Sequence, residues 1–202
     1  FNNCTGLESI EIPSSVTNIG SYAFYNCTGL ENVEIQYGLT SIGAVAFGQC
    51  SNIKNITIPE SVTNIENSVF GYCTSLKNIE LPNSVTTIPQ KIFYCCYELS
   101  DVKIGNKVTS IENDAFVGCK NLQMIIPQSV THIRRGAFGA CSQAKLVVLH
   151  KMSIDGTIIP RTAHIYVPTT EIKDYYTSYS DSVKYIFTED ATTTATTLSL
   201  KI

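Results

Sequence analysis

The chain has 202 residues, of which 44% are apolar and only 15% charged, with a formal net charge of −3. That balance gives no electrostatic reason to expect nucleic acid or an anionic membrane as partner. No apolar run reaches the roughly 18 residues that a membrane-spanning helix needs, and the length suits one elongated unit or two small domains.

Phe occurs at 1, 24, 47, 70, 93, 116 and 138, and Cys follows three residues later each time, at 4, 27, 50, 73, 96, 119 and 141. Leu or Ile follows after three more, with Ala144 in the last copy, and Thr recurs at 17, 40, 63, 86, 109 and 131. A fixed period with apolar landmarks at fixed phase is the signature of a solenoid. Phe1 falls inside a repeat, so a longer parent chain is expected.

One unit reads as follows from Phe24. Ala23, Phe24, Cys27 and Leu30 point inward. Val33 and Ile35 alternate with Asn32 and Glu34, the period-2 pattern of a short strand with one buried face. Pro13, Pro59, Pro82 and Pro127 end this strand in most copies, because proline cannot continue a ladder. Val-Thr-x-Ile, as in Val62–Ile65, is a second short extended piece. The segment Phe-x-x-Cys-x-x-Leu is expected as a helical or 3₁₀ turn, too short for an independent helix. Equivalent strands of successive coils pair in parallel about 4.8 Å apart, giving a stack of roughly 30–35 Å. The copy after Cys119 is one residue short, with Met124 and Ile126 facing inward and Ile125 outward.

Residues 1–144 are therefore read as the solenoid. Beyond Ala144 the period fails. Lys145–His150, Ala163–Val167 and Val183–Phe187 read as strands, and Ile158–Ile159 as the start of another. A helix is expected from Thr169 or Thr170, with Ile172, Tyr175, Tyr176 and Tyr179 on one face. Residues 145–190 form the expected α+β cap, since a solenoid end needs an atypical unit over its core. Residues 191–202 read as a linker or the start of a further domain.

Eight cysteines raise the question of disulfides or zinc. Seven sit at one phase of the repeat and no C-x-x-C pair is present, so they read as small buried hydrophobes rather than metal ligands. In-register neighbours lie within disulfide range, but stacked side chains point the same way, and reduced thiols are expected. His132, His150 and His164 have no ligand or triad spacing, and no G-x-S-x-G, P-loop or H-E-x-x-H occurs. No cofactor is implied.

Leu7-x-x-Ile10-x-Ile12 and Leu76-x-x-Ile79-x-Leu81 match the L-x-x-L-x-L core of leucine-rich repeats. The longer string Ala23-Phe24-x-x-Cys27-x-x-Leu30-x-x-Val33-x-Ile35 with Val-Thr-x-Ile resembles the BspA-like subclass. The resemblance implies a β-rich leucine-rich-repeat solenoid of about 23-residue coils with short parallel strands. It further implies export, display at the cell surface, and binding of host or neighbouring-cell proteins, with no catalytic residues to transfer. The reading adopted is a non-enzymatic module that binds protein or glycan ligands on host or neighbouring cells. The alternative is a spacer that displays another domain and has no ligand of its own.

Two sets of outward residues are candidates for contact. The strand face stacks into columns, one of which runs Glu11, Glu34, Thr57, Glu80, Lys103. Tyr72, Tyr94 and Tyr97 lie near one turn of neighbouring coils, with Tyr25 further along, and exposed Tyr is common in binding surfaces. The structural ladder is Phe24, Phe47, Phe70, Phe93, Phe116 and Phe138 with Cys27, Cys50, Cys73, Cys96, Cys119 and Cys141.

Overall fold

The structure, a computed structural model, describes residues 1–148 and 150 in full. Beyond these it describes the backbone at 153–154, 164–166 and 186–187 and the side chain of Ile165. The helix expected from Thr169 or Thr170, most of the expected cap, and residues 191–202 lie outside the described residues.

A coil has a first strand, missing only in coil 3 among the described coils, a second and shorter strand, and a run of turns. First-face strands are β1 (Ser9–Ile12), β3 (Asn32–Ile35), β6 (Asn78–Glu80), β8 (Asp101–Lys103), β10 (Gln123–Ile126), β12 (Lys145–Val148), β14 (His164–Tyr166) and β15 (Ile186–Phe187). Second-face strands are β2 (Asn18–Ile19), β4 (Ser41–Ile42), β5 (Asn64–Ile65), β7 (Thr87–Ile88), β9 (Ser110–Ile111), β11 (His132–Ile133) and β13 (Ser153–Ile154). Neighbours pair in parallel at the repeat spacing, as in Ser9↔Asn32 and Asn78↔Asp101. β12, β14 and β15 continue the same parallel sheet. The short copy is absorbed between Leu122 and Met124. Gln123 pairs with Asp101, Met124 and Ile126 are buried, and Ile125 is half-exposed.

The third side of the coil differs from expectation. No helix occurs among the described residues. The Phe-x-x-Cys-x-x-Leu segment is a chain of turns, with Cys27 N–H donating to Phe24 O at 3.2 Å and Leu30 N–H to Cys27 O at 3.0 Å. Alternate amides leave the coil instead. Tyr22, Phe24 and Asn26 donate to Ala44, Ala46 and Gly48 of the next coil at 3.0, 2.8 and 2.8 Å. A left-handed residue on each side of the Phe accompanies this alternation: Tyr22 and Asn26, Val45 and Gln49, Ser68 and Tyr72, Lys91 and Cys95. The turns thus form a third inter-coil ladder, which denies the segment the continuous i→i−4 bonding of a helix.

Inside, the phenylalanines stack face to face from Phe1 to Phe138, with centroids 5.2–5.8 Å apart. The cysteines are more than small hydrophobes. Each ladder thiol donates to the carbonyl of the Phe one coil back. Cys27 reaches Phe1 O at 3.1 Å, Cys50 reaches Phe24 O at 3.0 Å, and Cys73 reaches Phe47 O at 3.2 Å. Cys96, Cys119 and Cys141 repeat the contact to Phe70, Phe93 and Phe116. Burial pushes these thiols up, to about 12 for Cys50 and Cys141 and well above the ordinary value for Cys73, Cys96 and Cys119.

Proline does more than end a strand. In coil 2 the residue after the strand is Gln36, whose N–H donates to Ile12 O at 3.0 Å. Pro59 and Pro82 hold that position in coils 3 and 4 and have no N–H to give. β1 and β3 pair over four residues, and β6 and β8, followed by Gly105, over three. Where the later coil carries proline, pairing collapses. β3 has no strand partner in coil 3, the first-face strand pairing of coil 3 with coil 4 shrinks to the bridge Asn55↔Asn78, and β10, followed by Pro127, meets β8 at one pair. The strand expected in coil 3 is accordingly absent, although Ile56 and Ile58 stay buried in the core. On the second face, Pro89 takes the place of Gly43 and Glu66, which donate to Ile19 and Ile42, and the sheet breaks between β5 and β7.

Three outcomes are expected. In hydrogen exchange, amides of residues 55–58 should be less protected than those of β8, because they lack ladder partners; equal protection would contradict the proline account. Cys73→Ala should cost about 1–3 kcal/mol in a urea melt, since it leaves a small void and removes one donor from Phe47 O, whereas Cys95→Ala should stay within about 0.5 kcal/mol. The ladder should also make the protein sensitive to alkali. Below the ordinary thiol value of 9.0 both folded and unfolded states keep their protons. Above it the unfolded chain ionises while the folded ladder stays protonated, so stability falls by up to about 1.4 kcal/mol per pH unit per thiol. Urea melts at about pH 8 and about pH 10 measure this, and replacing two ladder cysteines by Ala should reduce the slope.

Candidate functional site

The outward residues of the first face form the columns expected from the repeat. Glu11 lies against Glu34 in register, and the like charges are bridged by Gln36, whose Nε2 donates to Glu11 Oε1 at 3.0 Å and to Glu34 Oε1 at 3.4 Å. Gln36 is the residue that replaces proline in this coil, so one substitution both completes the ladder and shields the carboxylates. Further along, Lys103 pairs with Glu80 at 3.4 Å, Lys54 with Glu31 at 3.8 Å and Lys77 with Glu98 at 3.9 Å. All are well exposed, and such pairs contribute about 0–1 kcal/mol each.

A hollow of about 570 Å³ opens on this face where the ladder thins, lined by Asn55, Thr57, Asn78, Glu80, Asp101 and Lys103 among others. A second hollow of about 300 Å³ continues it toward Gln123 and Ile125, sharing Glu80, Asp101 and Lys103. Glu80 and Lys103 thus belong to one depression. Glu34, on β3, lines neither hollow.

The turn flank is chemically different. Tyr72 and Tyr94 have ring centroids 5.4 Å apart, and Lys91 Nζ lies 5.7 Å from the Tyr94 centroid. Lys120 Nζ lies 5.5 Å from that of Tyr97. A hydrogen bond from the Tyr97 hydroxyl to Cys95 holds this phenol above its ordinary pKa. A second pair, Tyr22 and Tyr25, sits edge to face at 5.6 Å. Between the pairs runs a trough of about 350 Å³, with Gln49, Ser68, Gly48 and Gly71 also on its walls. Tyr72 and Tyr94 are therefore together in one site, and Tyr97 lies outside the trough lining. The charged candidates Glu34, Glu80 and Lys103 are absent from it.

Tyr22 and Lys91 are the residues that sequence reasoning missed here. The signal was available: both stand two positions before a Phe, in the column Tyr22, Val45, Ser68, Lys91. That column reads as variable turn until the backbone shows that it faces one trough.

Among the described residues no group of three His, Cys, Asp or Glu side chains is placed to hold a metal ion. His132 is exposed on β11 with its Nδ1 2.8 Å from Thr131 Oγ1, and His150 Nε2 lies 2.6 Å from Val130 O. The side chain of His164 is outside the described residues. No helix among those residues is long and apolar enough to cross a membrane.

No curated protein matches this chain. Solved structures do. A leucine rich cell surface protein from Faecalibacterium prausnitzii is similar at 26% identity and a TM-score of 0.56, over 80% of this chain and 60% of that one. A leucine-rich repeat protein from Bacteroides ovatus is similar at 23% identity and a TM-score of 0.52, over 83% and 57%. The leucine rich repeat protein of T. pallidum is similar at 23% identity and a TM-score of 0.68, over 89% and 86%. The chain thus spans about 60% of the length of the first two. The model of the BspA type leucine rich repeat region matches residues 1–123 in six copies, and the chain belongs to that family.

Proposed function

We propose that this chain is a non-enzymatic binding module, displayed at the cell surface or secreted, that recognises protein or glycan ligands on host or neighbouring cells. The observation that carries the reading is the contrast between its faces. Every coil spends its inward positions on the same Phe and Cys and a Leu, Ile or Ala landmark, while the turn flank around coils 2 to 5 breaks the repeat with tyrosines at half exposure. Large amphipathic rings on a rigid backbone give contact area at low entropy cost. The similar cell surface protein of F. prausnitzii supports placement outside the cell. A spacer without a ligand is the second reading, favoured by the strand columns, whose charges are paired with one another.

The test uses the 202-residue chain, fluorescently labelled and titrated onto cultured epithelial cells. Saturable binding that unlabelled chain displaces is expected. Replacing Tyr72, Tyr94 and Tyr97 together by Ser should weaken it by about tenfold or more, while charge reversal at Glu34, Glu80 and Lys103 should leave it within about threefold. Binding lost only by the charge reversal would move the site to the strand face. No saturable binding to epithelial cells or to neighbouring bacteria would leave the spacer reading standing.

A further inference from the structure

The turn-flank trough has a construction that the repeat alone does not require. Gly48 and Gly71 occupy, in coils 3 and 4, the position that Tyr25 and Tyr94 hold in coils 2 and 5. All four line the trough. Three coil spacings, about 14 Å, therefore separate two tyrosines, and the two positions between them in that column are glycines, the first with Val45 and Tyr25 packed over it.

The rim is held under strain. Tyr22, Val45, Gln49, Ser68, Tyr72 and Lys91 all have φ between 56° and 63°, and all six line the trough. Gly, Asn and Asp adopt this region most readily. Outside the trough the same two columns use Asn3, Asn26, Asp114, Gly118 and Gly136, and also Cys95 and Ala140. The six trough residues are of types that gain nothing from the conformation, and the stack holds their side chains on the rim in one fixed backbone geometry.

The chemistry of the lining narrows the ligand. Backbone amides here are already engaged: Gly48 N–H donates to Val45 O, Gln49 to Gly71, Gly71 to Ser68 and Tyr72 to Tyr94. An extended peptide would find no open edge to pair with. What remains are ring faces, the Gln49 amide and the Ser68 hydroxyl, neither of which bonds within the described residues, and one cation. Lys91 forms no ion pair among the described residues, in a chain of net charge −3. Asp114, the next residue of its column, is not part of the lining. Flat apolar faces, hydroxyl and amide partners and a single ammonium fit a sugar chain that carries a carboxylate.

We propose that this trough binds an acidic oligosaccharide, with Tyr25, Tyr72 and Tyr94 stacking on its rings, Gln49 and Ser68 meeting its hydroxyls and Lys91 its carboxylate. The inference rests on the binding-module reading and names the ligand class.

The experiment titrates the 202-residue chain, in calorimetry, with a hyaluronan hexasaccharide, a galacturonate hexasaccharide and 3′-sialyllactose, and with maltohexaose as the neutral control. At least one acidic probe should bind with a Kd below about 1 mM and at least about tenfold more tightly than maltohexaose. Lys91→Gln should remove that preference while leaving weak neutral binding unchanged. Gly71→Leu should block the trough without unfolding it. A Cβ there meets nothing closer than Ser68 O at 3.4 Å, no left-handed φ is involved, and Val117 stands at the same position in coil 6. Its thermal midpoint should match the parent, and its binding should fall at least about tenfold. Glu80→Gln with Lys103→Gln should bind as the parent does. If none of the acidic probes binds, or if Gly71→Leu binds as well as the parent, the inference fails. Should the chain nevertheless bind cells saturably, only the ligand class is wrong; if it binds neither cells nor sugars, the binding-module reading falls with it.

Discussion

The carbonyls of Phe1, Phe24, Phe47, Phe70, Phe93 and Phe116 each accept two hydrogen bonds, and the rest of the stack depends on the pair. One comes from the amide of the Cys in its own coil, as Cys50 N–H to Phe47 O at 3.1 Å, and closes the turn. The other comes from the thiol of the next coil, as Cys73 Sγ to Phe47 O at 3.2 Å, and fixes the neighbour. The same atom therefore sets both the shape of a coil and its register against the next. A thiol is a weak donor, but here it lies in a core with no buried polar or charged side chain to compete with it. The phenylalanine rings then stack because their backbones already sit in register.

This interior explains why the surface ladders can be interrupted. Pro59, Pro82, Pro89 and Pro127 each withdraw an N–H from the inter-coil pairing, and the first-face sheet falls to a two-stranded and a six-stranded piece. Ile56 and Ile58 nevertheless stay buried, and Phe47 and Phe70 remain 5.7 Å apart across the same joint. Backbone hydrogen bonds exposed to water contribute modestly to stability, so a coil can lose them while the core holds. In exchange the strand face gains relief: the larger of the two hollows lies where first-face strand pairing is reduced to Asn55↔Asn78.

The period was legible in the sequence because it is written in side chains that the core selects. Phe, Cys and Leu at fixed phase gave the coil length, the parallel pairing, the short copy after Cys119 and the facing of Met124, Ile125 and Ile126. What stayed hidden is carried by the backbone. A Cys at an inward position looks like a small hydrophobe until its Sγ is seen 3.0 Å from Phe24 O, as in Cys50. The turn segment looks helical because i→i−3 contacts share the spacing of a helical face. Only the left-handed residues beside each Phe, and the amides that leave the coil, distinguish the two. Tyr72 and Tyr94 were read as neighbours from their spacing alone. That Tyr22 and Lys91 join them depends on φ values, which no residue type announces when Val45 and Ser68 share the column.

The interior and the turn flank of the coil are thus built under different constraints. Strain of about 1–2 kcal/mol per left-handed residue other than Gly, Asn or Asp accumulates on the turn flank, where eleven left-handed non-glycine residues occur among the described residues. The buried ladder offsets it, and it does so without regard to what the flank residues are, because their amides donate along the stack whatever the side chain. Tyr72 N–H donates to Tyr94 O at 2.7 Å, and Gln49, at the same position one coil earlier, donates to Gly71 O at 2.8 Å. Backbone geometry at these positions is fixed by the stack, so side-chain identity there is free to vary from coil to coil. A strand-face residue has less freedom, since its charge is set against an in-register neighbour about 4.8 Å away. The flank is therefore where a repeat of this kind can acquire a distinct surface at the smallest disturbance to its own folding.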